Sequence, residues 1–117
     1  MINSTNLIIN KDGSIFHLGI KPGELASNVI LVGDPGRVKL IASFFDTILF
    51  ERSNREFIMA TGLYRDMKIS VLATGIGTDN IDIVINELDT LVNVDFKKRT
   101  FESTPKKLNL VRLGTCG

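Results

Sequence analysis

Val29-Ile30-Leu31-Val32-Gly33-Asp34-Pro35-Gly36-Arg37 is the stretch whose reading decides the fold. Four apolar residues in a row, mostly β-branched, predict a strand buried on both faces, the usual state within a parallel sheet. Gly33 lets the backbone turn sharply and lets a ligand approach it closely. Asp34 is a good N-cap, and Pro35 stands where a helix best accepts proline, at its first position. A strand therefore runs directly into a helix, and the junction gathers unpaired backbone N–H groups that favour an anion. Arg37 falls in the first helical turn, where the macrodipole disfavours a cation by less than ~1 kcal/mol at an exposed site. Held to a bound anion it would gain ~1.5–3 kcal/mol through charged hydrogen bonds. These residues alone leave both readings open, a solvated arginine and an anion ligand.

Downstream, Val38, Ile41, Ala42 and Phe45 recur at helical spacing and describe one apolar face. Thr47 to Phe50 begins a second strand, Ser53-Asn54-Arg55-Glu56 interrupts it, and Phe57 to Leu63 resumes as extended chain. Arg65-Asp66 is placed to make a hairpin turn into Lys68–Ala73. Arg55 by itself reads as a loop arginine, solvated or paired with Glu56. Ala73-Thr74-Gly75-Ile76-Gly77-Thr78-Asp79 is a second strand-to-helix junction, with Thr78 or Asp79 able to cap the helix. That helix carries an apolar stripe at Ile81, Val84, Ile85, Leu88, Leu91 and Val92, opposite Asp79, Asp82, Asn86 and Asp89. Gly75-Ile76-Gly77 matches half of a dinucleotide fingerprint but lacks its third glycine.

Residues 93–107 are polar and charged without periodicity, and Lys97, Lys98, Arg99, Lys106 and Lys107 read as a solvated loop. Leu108 to Leu113 predicts another strand, broken by Arg112. A charge there is not buried without a partner. Ligands of open α/β sheets bind beyond the carboxyl ends of the strands, so Arg112 and Thr115 are placed to meet one. Upstream of the opening strand, Lys11–Ser14 is a turn cluster, Ile15–Leu18 a short extended piece, and Lys21–Leu25 a turn or short helix. His17 is the only histidine. Beside apolar neighbours it reads first as a structural residue.

The bulk properties bound the classes. A chain of 117 residues is one domain by size, and 44% hydrophobic with 23% charged residues is ordinary globular composition. A formal net charge of +1 argues against a general nucleic-acid or membrane-surface role. The single cysteine, Cys116, excludes an internal disulfide and suits a reducing compartment. No basic start precedes an apolar run at the N-terminus, and no stretch approaches a membrane span, so a cytoplasmic soluble protein is expected.

Taken together the motifs resemble the nucleoside phosphorylase family, of the uridine phosphorylase and hexameric purine nucleoside phosphorylase type. The resemblance rests on Phe16-His17-Leu18-Gly19, Gly33-Asp34-Pro35-Gly36-Arg37, Ser53-Asn54-Arg55-Glu56-Phe57, Ala73-Thr74-Gly75-Ile76-Gly77 and Arg112-Leu113-Gly114-Thr115-Cys116-Gly117, in that order. The loop at 93–107 is longer than in the short bacterial members. Ser53–Phe57 and Ala73–Gly77 look closer to uridine phosphorylases, whereas Cys116 departs toward the purine enzymes. A cysteine nucleophile is not expected, because no base is evident beside Cys116.

The resemblance implies an α/β chain, the N-terminal part of a three-layer fold with a central mixed sheet flanked by helices, here as one truncated domain over residues 1–117. It implies phosphate-dependent cleavage of a nucleoside to free base and ribose 1-phosphate, with inorganic phosphate as co-substrate, no cofactor, no metal and no nucleic-acid or membrane partner. By the same resemblance Gly33, Arg37, Arg55, Arg112 and Thr115 hold phosphate, and Thr115 also lies near the ribose. The position matching His17 reaches the ribose 5′-hydroxyl of a neighbouring subunit's substrate, and Arg55 likewise crosses the boundary. A homo-oligomer follows, a dimer or a ring of dimers. Segments for base recognition and the ribose carboxylate have no counterpart here, so the 117 residues alone are expected to be inactive. The alternatives are a purine nucleoside phosphorylase and a non-catalytic anion- or nucleotide-binding α/β module.

Overall fold

A computed structural model of the chain describes residues 9–54, 57–75, 79–95, 100–101 and 108–113, and of 79–82, 94–95 and 100–101 it describes the backbone. The apolar run forms strand β1 (Asn28–Val32), which sits inside a five-stranded sheet rather than at its edge. β1 pairs in parallel with β4 (Met67–Ala73) on one side and with β7 (Asn109–Leu113) on the other. β2 (Thr47–Asn54) and β3 (Phe57–Tyr64) extend the sheet beyond β4 as an antiparallel meander, giving the order β2-β3-β4-β1-β7. The sheet is therefore mixed, as expected.

Helix α1 (Pro35–Ala42) covers one face and α2 (Asp79–Asn93) the other, which makes three layers. On the α2 side Val84, Leu88 and Leu91 pack over Leu31, Phe57, Met59 and Leu72. On the α1 side Val38 is the buried helix residue, against Val32, Ala60, Val71 and Ala73. At ~1.5–3 kcal/mol per fully buried large side chain, the α2 layer contributes more. The stripe is narrower than its spacing suggests, since Ile85 is exposed, and the side chain of Ile81 lies outside the described residues.

The β3–β4 hairpin turns at Arg65 (φ 49°) and Asp66 (φ 66°), both left-handed, as a two-residue primed turn requires. Gly62 is fixed by packing. A Cβ there would lie 2.5 Å from both the Phe45 ring and the Thr47 carbonyl oxygen. Glu24, buried beneath the sheet's edge, accepts from Arg52 through both carboxylate oxygens, and that hydrogen bonding holds the Arg52 guanidinium above its usual pKa. Among the described residues no helix is long and apolar enough to cross a membrane.

Several local expectations are corrected. Ser53 and Asn54 do not interrupt β2 but finish it, paired with Ile58 and Phe57; polar side chains are tolerated on an edge strand that meets water. Ile15–Leu18 is a tight turn rather than an extended piece. It is closed by Gly19 N–H to Ile15 O (2.9 Å) and Ile15 N–H to Ile20 O (2.9 Å), with Gly19 at φ 67°. Lys21–Leu25 takes the turn, the first of its two expected forms. The segment expected to be plain loop contains a small hairpin, β5 (Val94–Asp95) with β6 (Thr100–Phe101); Lys97, Lys98, Arg99, Lys106 and Lys107 lie outside the described residues. β7 runs unbroken through Arg112, because this strand is exposed along its whole length and the charge stays in water.

Candidate functional site

Register brings the ends of three parallel strands to one place. Val32 is level with Ala73 of β4 and with Leu113 of β7, so all three chains leave the sheet along a single edge. Buried Thr74 stitches two of these exits together, its N–H donating to the Val32 carbonyl at 2.8 Å. Gly33 and Gly75 then face each other across the edge. The left-handed turn belongs to Gly75 (φ 78°), whereas Gly33 has no positive φ. Among the described residues a Cβ on Gly33 would meet only the Gly75 carbonyl oxygen, at an ordinary 3.8 Å. The expected sharp turn at Gly33 is thus not what its glycine supplies. Among the described residues it leaves space above the strand end, where a ligand can come close.

The start of α1 also differs from expectation. Asp34 caps it, accepting the Gly36 N–H through Oδ1 at 2.9 Å, and the Arg37 N–H donates to the Asp34 carbonyl at 3.0 Å. Pro35 has no N–H to offer. The helix terminus has therefore spent its leading donors on its own cap, and the exposed Asp34 carboxylate adds negative charge there. Positive charge at this edge comes from side chains instead. Half-buried Arg37 rises from the first turn of α1, and Arg112 sits on β7 level with Leu31, on the α2 side of the sheet. The two approach the same edge from opposite faces. Arg55, Thr115 and Cys116 lie outside the described residues, as do Glu56, Gly77 and Thr78.

The β2–β3 turn opens along this same edge, because Ile58 is level with both Ala73 and Ser53. It is nevertheless remote from Gly33. β2 lies three strands from β1, about 14 Å at the usual spacing of ~4.8 Å per strand. That is more than one side chain spans. His17 belongs to this distant corner. Asn54, the last residue of β2, donates through Nδ2 to the His17 carbonyl at 2.7 Å and to that of Phe16 at 3.3 Å. Gly19 permits the contact, since a Cβ there would come within 2.8 Å of the Asn54 Cβ. The Phe16–Gly19 and Ser53–Asn54 motifs are thus one packed unit.

From the other side α2 supplies Glu87. Its carboxylate takes the His17 N–H (3.1 Å), the Leu18 N–H (3.0 Å) and the ring Nδ1 of His17 (2.6 Å). Glu87 belongs to none of the sequence motifs. The available signal is its place between Val84, Leu88 and Leu91, on the buried stripe, where an unpaired carboxylate is costly. Asn54 was quoted within a motif, but its role became visible only with the turn packed on it.

Residues 28–117 match the family model described as the phosphorylase superfamily. The DeoD-type purine nucleoside phosphorylase of Alkaliphilus metalliredigens is 38% identical over 102 residues, covering 86% of this chain and 38% of that protein. Among solved structures, a nucleoside phosphorylase of Trypanosoma brucei that shows uridine phosphorylase activity superimposes with a TM-score of 0.86 at 39% identity, over 95% of this chain and 39% of its own. A uridine phosphorylase of the oomycete Phytophthora capsici does so with a TM-score of 0.79 at 28% identity, over 99% and 36%. The chain therefore spans well under half the length of the relatives it matches.

Proposed function

The chain belongs to the phosphorylase superfamily, and from that membership we propose that it carries the phosphate half of a nucleoside phosphorylase site, cleaving a uridine-like nucleoside to free base and ribose 1-phosphate. The observation that carries the reading is the shared edge of β1, β4 and β7, with open space above Gly33 and arginines on both flanks. A phosphate dianion there accepts hydrogen bonds from Arg37 and Arg112, bidentate where the fork geometry allows. Thr115, two residues beyond the end of β7, adds a hydroxyl to the phosphate and faces the ribose. In phosphorolysis one phosphate oxygen bonds to the anomeric carbon as the C–N bond to the base breaks, through a sugar bearing developing positive charge. The held dianion stabilises that charge, and phosphate is the co-substrate rather than a cofactor.

His17 and Arg55 serve a second copy of the chain. The strand order supports this, since the corner at the end of β2 lies three strands from the Gly33 edge, about 14 Å at ~4.8 Å per strand. His17 meets the 5′-hydroxyl of the neighbour's nucleoside, and Arg55 the neighbour's phosphate. The assembly is a dimer or a ring of dimers. A purine nucleoside remains a specific second reading, favoured by the 38% identity to a DeoD-type purine enzyme.

Incubating the parent protein with uridine or with inosine, with and without phosphate, tests both readings, these 117 residues by themselves being expected to release no base. Free uracil released only with phosphate is the expected result. Release from inosine alone selects the purine reading, and release without phosphate removes both. Gly33→Ala gives a sharper test of the site. Its Cβ meets no clash among the described residues and its φ is not left-handed, so the variant is expected to keep its fold, as a melting curve checks. The methyl group enters the space assigned to the anion, and the KM for phosphate rises roughly tenfold, the equivalent of one lost hydrogen bond to a charged group. An unchanged phosphate KM places the anion elsewhere.

A further inference from the structure

We propose that Glu87 is a positioning residue for the sugar contact of His17, acting by fixing which ring nitrogen faces outward. The inference rests on the proposed role of His17 and adds to it a residue of α2. Glu87 Oε2 lies 2.6 Å from Nδ1, while Oε1 accepts the Leu18 N–H at 3.0 Å and the His17 N–H at 3.1 Å. The Glu87 side chain is 14% exposed and that of His17 31%. A carboxylate oxygen accepts from Nδ1, so the ring carries its proton there and Nε2 is left as its other polar atom. Other contacts hold the residue and its neighbours in place. Phe16 meets it edge-on with centroids 4.7 Å apart, Asn54 holds the His17 carbonyl, and Leu18 is anchored in the core at 1% exposure. In the neutral ring Nε2 is then an acceptor, matched to a sugar hydroxyl that donates.

Glu87 has two jobs that can be separated. Capping the turn requires one acceptor oxygen, which glutamine also has. Orienting the ring requires that the second atom accept as well, and there glutamine places an N–H. Glu87→Gln therefore keeps the turn but makes Nδ1 the acceptor and moves the ring proton to Nε2.

The test uses the intact protein, with the His17 ring nitrogens identified by their loss in His17→Ala. Nitrogen-15 spectra are expected to show the Nδ1–H tautomer in the unaltered protein and the Nε2–H tautomer in Glu87→Gln. The nucleoside KM rises roughly five- to tenfold in His17→Ala, as for one neutral hydrogen bond, and by a smaller factor in Glu87→Gln, where the hydroxyl must turn to accept from Nε2–H, with the phosphate KM unchanged in both. The penalty disappears for a 5′-deoxynucleoside, which has no hydroxyl to offer. A merely structural role would slow both nucleosides alike, and that result overturns the proposal. So does an Nδ1–H tautomer that survives Glu87→Gln. If His17→Ala leaves the nucleoside KM unchanged while the tautomer still switches in Glu87→Gln, the failure lies in the sugar reading of His17, and the proposal falls with it.

Discussion

Arg112→Ala is expected to cut phosphate-dependent turnover at least tenfold, chiefly through a higher KM for phosphate. The size of the effect follows from what else could hold the anion. A helix terminus contributes at most ~2 kcal/mol even in favourable geometry, and the terminus of α1 has already given the N–H groups of Gly36 and Arg37 to Asp34. Truncating one partner of a desolvated charge pair costs ~2–5 kcal/mol. The arginines therefore outweigh the helix. Arg112 stands exposed on β7, level with Leu31, and carries no described structural contact that the substitution would break. Its loss should leave thermal stability within about 0.5 kcal/mol of the unaltered protein, as at ordinary surface positions. Initial rates across a phosphate titration, set beside a melting curve, check both halves. Unaltered phosphate dependence would remove Arg112 from the site.

The elements that local chemistry dictates were legible in the sequence. The run Val29–Val32 reads as an interior strand because four consecutive apolar residues need cover on both faces, and it lies between β4 and β7. Asp34-Pro35 marked the start of α1, and Arg65-Asp66 the hairpin. Harder to read were features that depend on what comes to lie beside a residue. The cap on α1 was visible, but that it consumes the very donors thought free for an anion requires the folded turn. Ser53 and Asn54 look like a loop by composition and are strand by pairing, since β3 supplies their partners. Glu87 meets His17 across 70 positions of sequence, a separation that no short-range pattern reports. The candidate site divides the same way. Gly33, Arg37 and Arg112 follow from strand ends and could be placed from the sequence, whereas the support around His17 came from tertiary contacts.

A mixing experiment carries the largest expected change, because it restores activity instead of removing it. Arg112→Ala disables the phosphate edge of the subunit that bears it, and Arg55→Ala disables only the contribution made to a partner. Each variant alone is expected to be nearly inactive. In a mixed dimer one site combines both lesions, while the other combines the intact edge of one subunit with the intact corner of its neighbour. Random pairing of equal amounts through a two-fold interface yields half mixed dimers, each with one sound site of two, so about a quarter of normal activity returns. The geometric ground is the strand order. Asn54 ends β2 three strands away from β1, along the same edge of the sheet as Gly33. A symmetric partner can bring its own corner to that edge, at no cost to the sheet. The variants are mixed, exchanged under mild denaturant and returned to buffer, and free base is then measured with phosphate present. Recovery near a quarter establishes action across the interface. If the mixture stays as inactive as its parents despite exchange confirmed by mass spectrometry, both arginines act within one subunit and the assignment of the corner to a neighbour is wrong.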